Sequence, residues 1–464
     1  MNRYLKQVLH CIIFLFALGL GGMAEQTVFA AGNWYEDYTY MLQTSDASGD
    51  NYLMLREYNG SASTLYVPAT TVVDGVSYQT KLSPGENGIW YGTRNKLKEI
   101  TFENGCIVAD GGFLFYKLSK LESVNVEALD MSQATSTAWM FSECKNLTKL
   151  NVENWDLTNV TNMFNMFGGC EKLTSLDVSK WNTSNVTVMV SVFDHCKSLY
   201  KINVDDWDVS KVTTMSSMFY KCEKLDSLDL HKWNTSNVTD MWEMFGRCYS
   251  LSSVNVKGWD TSKVTAMAGM FGCNYNLTTL DLSSFDMTNV KFDKYDDQMF
   301  LRCASLQMIK TPKKTTQKLY FNSGLTYVKK NDGKTGKKQY KYIPKTNKSI
   351  TMVCKQSKSK STTFISVKSS GGKIKLKWKK VSSKPYIPVQ YEIQCSTNEK
   401  FTNAVGKMSN TTDATYSVQD NVTNKTSTTI KGLTKGKTYY VRVRVHTYEK
   451  RLSNWSKVKK IKVK

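Results

Sequence analysis

A chain of 464 residues with a formal net charge of +22 sets 62 Lys and Arg against 40 Asp and Glu. The excess is split: residues 312–464 carry 36 Lys and Arg against 6 Asp and Glu, whereas residues 1–311 carry 26 against 34. The length allows two or three domains with real cores, and so uneven a split means that the two parts meet different surroundings.

The first thirty residues read as an address. Arg3 and Lys6 charge a short head, and Val8 to Leu20 is an apolar run broken only by His10 and Cys11. Val28-Phe29-Ala30 places small residues where a signal peptidase reads, so cleavage is expected before Ala31. The run falls short of the ~20 residues that span a bilayer. Residues 1–30 are assigned to a signal peptide, with no transmembrane segment after cleavage, and the product to the secreted, extracellular or cell-surface space. A basic tail on an exported chain points to anionic wall polymers, acidic lipid headgroups or polyanionic glycans, and export argues against nucleic acid.

Residues 31–96 read as a β-rich cap. Tyr52-Leu53-Met54-Leu55, Thr64-Leu65-Tyr66-Val67 and Val76-Ser77-Tyr78-Gln79 are short strand patterns between Gly, Asn and Asp turns.

From residue 97 the chain repeats. Trp155, Trp181, Trp207, Trp233 and Trp259 stand 26 residues apart, as do Phe141, Phe167, Phe193, Phe219, Phe245 and Phe271, and Cys144, Cys170, Cys196, Cys222 and Cys248. Units begin at Leu97, Leu121, Leu147, Leu173, Leu199, Leu225, Leu251 and Leu277, and a truncated ninth at Leu306. Each opens with the L-x-x-L-x-L of leucine-rich repeats, as in Leu173, Leu176 and Val178. Leu176 and Val178 point one way from a short strand and leave Asp177 on the other face. After Trp181 the apolar spacing becomes three and four (Val186, Met189, Val192, Phe193, Cys196), which predicts a short helix with Thr183 or Ser184 as its cap. One such unit cannot bury its faces alone, so units must stack into a solenoid.

A finer rule runs through the repeats. The outward strand residue alternates as Asn151, Asp177, Asn203, Asp229, Asn255 and Asp281, and the residue after the aromatic alternates in antiphase as Asp156, Asn182, Asp208, Asn234 and Asp260. Neighbours ~4.8 Å apart would repel if both were charged, and alternation moves like charges to ~10 Å, near the Debye length.

The string Trp-Asp/Asn-Thr/Val-Ser-x-Val-Thr-x-Met-x-x-Met-Phe-x-x-Cys resembles the BspA-like leucine-rich repeats of bacterial surface proteins over residues 97–311. The resemblance implies a surface location and, as for several such proteins, adhesion to host matrix proteins or to other bacteria. It names no ligand.

Residues 312–365 read as a basic cap and linker. In residues 366–464 the period becomes two, in Ile374-Leu376-Trp378 and Tyr391-Ile393-Cys395. Leu433-Thr-Lys-Gly-Lys-Thr-Tyr439-x-Val441-x-Val443 is similar to a fibronectin type III signature. That similarity implies a core of Trp378, Leu433, Tyr439 and Trp455, with the tyrosine closing a corner against upstream backbone. The fold expected for the whole is an α/β leucine-rich-repeat solenoid of about eight 24–29-residue repeats, capped by β structure and followed by an all-β fibronectin type III-like sandwich.

Catalytic chemistry finds little to use. The histidines after residue 30 are His195, His231 and His446, and the first two fall at different places in the repeat. No G-x-S-x-G, H-E-x-x-H or phosphate-loop motif occurs, so no catalytic residue, metal or cofactor is assigned. Cys170, Cys196, Cys222 and Cys248 would project in parallel, unfit for disulfides, and lack the paired spacing of a metal site. The Trp column and Phe167, Phe193, Phe219 and Phe245 are expected in the core. The column Asn151, Asp177, Asn203, Asp229, Asn255 and Asp281 is the candidate binding face. The expected function is a non-catalytic, adhesin-like surface protein that binds a host or bacterial protein or glycan through its repeats, with residues 312–464 on anionic wall polymer. An envelope hydrolase targeted by its repeats, or a structural envelope protein, are the alternatives.

Overall fold

The computed structural model describes residues 34–43, 50–292, 299–321, 325–331, 334–354, 362–381, 389–397, 399, 407–408, 422–423, 426–447 and 455–464. The expected signal peptide at 1–30 lies outside these residues.

The repeats wind into a β-solenoid of about ten turns with almost no helix. From Ser175 to Asn255 each turn holds a strand of two or three residues, and two pairs of these strands lie side by side 26 residues apart. Ser227–Asp229 runs parallel to Ser253–Asn255 in register, Leu228 opposite Val254 and Asp229 opposite Asn255. Ser175–Leu176 pairs in the same way with Lys201–Ile202.

The short helix expected after each Trp does not form, and the α/β reading of the repeat is corrected to β-solenoid. In each turn from Phe113 to Cys273 two residues, four apart, take a left-handed backbone, as in Asn165 (φ 53°) and Gly169 (φ 77°), then Ser191 and His195, Ser217 and Lys221, Glu243 and Arg247. One such residue per four breaks a right-handed helix. The chain instead makes successive tight turns, with the amides of Met166, Gly168 and Cys170 bonded to the carbonyls of Met163, Asn165 and Phe167. The intervening amides reach the next turn of the solenoid: Asn165 to Val190 at 2.8 Å, Phe167 to Val192 at 2.9 Å and Gly169 to Asp194 at 2.7 Å. Spacings of three and four thus arise from linked turns as readily as from a helix. Thr183 is no cap: it is buried and donates to the carbonyl of Asp208 at 3.0 Å.

The core is a set of columns made of like residues. Phe141, Phe167, Phe193, Phe219, Phe245 and Phe271 are fully buried, and their rings stack at 5.5–5.8 Å. Offset aromatic stacking adds to the ~1.5–3 kcal/mol that burial of each ring contributes.

The columns do not stop at the expected boundaries. Upstream, Thr64–Val67 runs parallel to Glu99–Phe102, and Val76–Leu82 runs parallel to Cys106–Val108, so the residues read as a separate cap already coil with the repeats. Downstream, Met308–Lys310 closes the parallel ladder and accepts Thr351–Cys354 as an antiparallel neighbour. A single hydrophobic core runs from Tyr35 to Met352.

A second core lies between two four-stranded sheets. One sheet contains Phe364–Ser370, Lys373–Trp378 and Ser427–Lys431, and the other Val389–Ser396, Thr438–Thr447 and Lys459–Lys462. Trp378, Leu433 and Tyr439 are buried in it, and the Tyr439 hydroxyl accepts from the Thr434 amide at 3.0 Å. Trp455, expected in this core, is not there. It is half-buried, with the guanidinium groups of Arg442 and Arg444 over its ring at 4.4 and 4.3 Å. Val441, Val443 and Val445 fill the core, so alternation turns both arginines outward, and a side chain that stacks on them must lie outside too.

Candidate binding surface

Two outward faces of the solenoid offer themselves: the strand face and the face of linked turns. On the strand face Asn151, Asp177, Asn203, Asp229 and Asn255 are exposed and Asp281 is partly buried. Their oxygens are partly committed to the chain itself. Asp177, Asn203, Asn255 and Asp281 each accept from the amide two residues on, in Ser179, Asp205, Lys257 and Ser283. This is the Asx turn, in which a short acceptor side chain ends a strand. The antiphase column does the same, Asp156, Asn182, Asp208, Asn234 and Asp260 accepting from Thr158, Ser184, Ser210, Ser236 and Ser262. The side-chain hydrogen bond from Ser179 holds Asp177 below the usual carboxylate range, as that from Thr158 holds Asp156. Both Asn and Asp supply the acceptor, so the turn fixes the oxygen and leaves the charge free to alternate.

Further bonds run across the turns of the solenoid. Asn255 donates to Asp229 at 2.8 Å, Lys232 meets Asp206 at 2.6 Å, and Lys180 meets Glu153 at 2.6 Å. At Asp229, burial pushes the carboxyl up, but the hydrogen bonds from His231 and Asn255 outweigh it and the net shift is downward. The strand face is polar, its exposed column made of Asn and Asp.

The turn face differs. At the two left-handed positions and beside them the residues vary from turn to turn, and several are aromatic or cationic. Phe113 (φ 59°) and Trp139 (φ 61°) stand where other turns place Asn165, Ser191, Ser217 and Gly269. A bulky residue at positive φ costs ~1–3 kcal/mol. Phe113 stacks on Trp139 at 6.1 Å, Tyr116 abuts both, and Trp139 meets Phe164 at 5.1 Å. All four rings are partly open to solvent. Further along, Trp242 is 47% exposed, Tyr249 stacks on Tyr275, and Lys221 and Arg247 flank the Tyr220 ring. Asp194, His195 and Lys221 form a chain, Asp194 to Nδ1 at 2.6 Å and Nζ to Nε2 at 2.8 Å. The signal that could have found this face was in the sequence: within a repeat, outward positions that break their own column.

The columns expected inside are closed to partners. Trp155, Trp181, Trp207, Trp233 and Trp259 are at most 5% exposed, and each indole N–H donates to a carbonyl of the preceding turn, as Trp207 does to Val178 at 3.0 Å. The thiols of Cys170, Cys196, Cys222 and Cys248 are buried, unbonded to one another, and donate to carbonyls of Phe141, Phe167, Phe193 and Phe219 at 3.0–3.2 Å. Burial pushes the Cys248 thiol up to about 12 and the others well above their ordinary value. Among the described residues no group of three His, Cys, Asp or Glu side chains is placed to hold a metal ion, and no helix is long and apolar enough to cross a membrane.

The repeats are similar to known sequences. A family model described as "Mycoplasma protein of unknown function, DUF285" matches residues 112–228 and again 221–322. The two matches follow one another with a short overlap at 221–228, as expected of a repeated unit. Among solved structures, a leucine-rich cell surface protein from Faecalibacterium prausnitzii A2-165 matches at 15% identity, over 62% of this chain and 90% of that one, with a TM-score of 0.26. No curated protein matches.

Proposed function

We propose that the chain is a secreted, non-catalytic bacterial surface protein that binds a protein or glycan of host or bacterial cells through its solenoid. The observation that carries this reading is the turn face. Buried columns repeat strictly because packing demands it, whereas this face departs from its repeat and leaves Phe113, Trp139, Phe164, Tyr220, Trp242 and Arg247 open or half-open. Aromatic and arginine side chains dominate binding energy at protein surfaces, and a strained backbone that holds two of them fits a site better than a scaffold. The strand column remains a second contact surface, since it is exposed, although its oxygens already close turns.

The basic carboxy-terminal region is assigned to attachment. Its two sheets, its own core and the Tyr439–Thr434 bond support the fibronectin type III-like reading, and its lysines suit an anionic wall polymer. The scarcity of histidines and the burial of the cysteines favour binding over an envelope hydrolase. The test is retention of the purified protein on matrix proteins, mucin and whole bacterial cells. Trp139→Ala and Trp242→Ala should weaken capture about tenfold or more with the fold intact, a hot-spot loss of ~1.4 kcal/mol or more. Equal capture by both variants would remove the turn face from the reading.

A further inference from the structure

The lysines of the carboxy-terminal module are not scattered. Lys373-Ile374-Lys375-Leu376-Lys377-Trp378 alternates strictly, with Ile374, Leu376 and Trp378 buried and the three lysines exposed. The neighbouring strand sets Lys368 opposite Lys375, Ser366 opposite Lys377 and Ser370 opposite Lys373. On the other side Thr429 stands opposite Lys375 and Ser427 opposite Lys377, and the next step of that register brings Lys431 beside Lys373. On these three strands the outer face is therefore a grid of nine residues in three rows: Ser366, Lys377, Ser427; Lys368, Lys375, Thr429; Ser370, Lys373, Lys431, and the fourth strand sets Lys407 opposite Lys431.

The grid holds ammonium and hydroxyl groups and no carboxylate. The ion pairs seen among the described residues all lie between Glu143 and Lys310, none of them on this sheet. Directly opposed like charges, as at Lys368 and Lys375, weaken a sheet, and one glutamate at either place would relieve them. Same-face residues repeat at ~7 Å along a strand and ~4.8 Å across strands, both inside the Debye length of ~8 Å, so the five potentials add.

We infer that this sheet face is a binding site for a linear phosphodiester polymer, laid across lysines 368, 373, 375, 377 and 431. The inference rests on the attachment reading above and gives it a place. Lysine offers a compact point charge that suits phosphate oxygens in any rotation, so a row of lysines can follow a chain of phosphodiesters without fixing the orientation of each. The nine positions present no apolar or aromatic side chain to enter a bilayer, and the one exposed Ile365 at the bulge beside them is too little, which separates a polymer from a lipid surface. A polyanion that releases counterions as it binds gains most where cations are dense and unpaired.

The experiment uses the full chain with three probes at low salt: poly(glycerol phosphate), a polyglucuronate and vesicles rich in phosphatidylglycerol. The wild type should bind poly(glycerol phosphate) best. Lys373→Gln, Lys375→Gln and Lys377→Gln together should weaken that binding about 100-fold, at roughly fivefold per lysine. A control with the same charge loss off the grid, Lys313→Gln, Lys345→Gln and Lys348→Gln, should change it less than about threefold. Lys375→Gln alone guards against misfolding: it should weaken binding about fivefold while the melting temperature holds or rises. Equal losses in grid and control variants would overturn the site, as would preference for vesicles or for the carboxylate polymer. A wild type that binds and a grid variant that binds as well would remove this site and spare the attachment reading. A wild type that binds none of the probes or isolated walls would remove both.

Discussion

The solenoid and the carboxy-terminal module handle like neighbours in opposite ways. In the solenoid the inward side chains stand beside copies of themselves, and apolar copies gain from it: phenylalanines stack on phenylalanines and tryptophans on tryptophans. Charged copies would repel, and the chain avoids this by alternating Asn with Asp while keeping the oxygen that closes each turn. In the module neighbouring strands differ in sequence, so charge could be balanced at will, yet lysine faces lysine at 368 and 375. Where balance is easy and absent, the imbalance is better explained by a partner than by the fold.

The comparison breaks first, and hardest, at the aromatic columns. Phe219 is fully buried, stacked on Phe193 and Phe245 at 5.5 and 5.8 Å. Phe219→Ala should cost ~3–5 kcal/mol, the range for emptying a buried aromatic site. Because each turn depends on its neighbours, hydrogen exchange should rise in the turns that adjoin residue 219 before the ends of the solenoid. A loss below ~1 kcal/mol by urea denaturation would show that the column fills space without holding it.

Next come the ladders inside the core. Trp207→Phe keeps an aromatic ring but removes the indole donor to the Val178 carbonyl, which retains the Trp181 amide at 3.3 Å, and should cost ~0.5–1.5 kcal/mol. The thiols test the same burial by reactivity. Cys170, Cys196, Cys222 and Cys248 should resist a thiol reagent until the chain unfolds, since burial raises their pKa and removes access. Reaction in the native state, or linked pairs on non-reducing mass analysis, would contradict the packing described.

How much of this was legible depends on which force sets each residue. The 26-residue period, the inward columns and the alternation of Ile374, Leu376 and Trp378 could be read because burial selects residue type at fixed spacing. The helix was misread because three-and-four spacing reports only which side chains face inward, and left-handed residues such as Ser191 and His195 carry no strong signature in a single repeat. Trp455 differs from expectation for a related reason: size and aromaticity suit a core and an outer face alike, and only the arginines that cover it mark the outside. The binding column Asn151 to Asp281 was read from its regularity, and regularity here belongs to the Asx turn, legible in retrospect from Asp177-Val178-Ser179 and Asn182-Thr183-Ser184. The turn face carries no periodic signal, because its residues differ from turn to turn.

The smallest effect sharpens the comparison most. Asp229 accepts from His231 and Asn255, and its carboxyl sits below the usual range once those bonds outweigh burial. Asp229→Asn keeps the acceptor oxygen that the turn uses and removes only the charge, on a side chain 49% exposed. Solvent screening holds such a pair to ~0.5 kcal/mol or less, so the solenoid should stay folded. The sign of the pH dependence separates charge from shape. A carboxyl lowered in the folded state stabilises it above the unfolded value of ~3.9, and that contribution fades as pH falls through the folded value. Wild type should therefore exceed Asp229→Asn slightly at pH 6, and the two should converge as the pH falls through the lowered folded value. A gap that persists in acid would mean that the Asn side chain distorts the turn. A variant that unfolds outright would mean that charge, not the Asx oxygen, organises the strand face, and the contrast drawn between solenoid and module would fail with it.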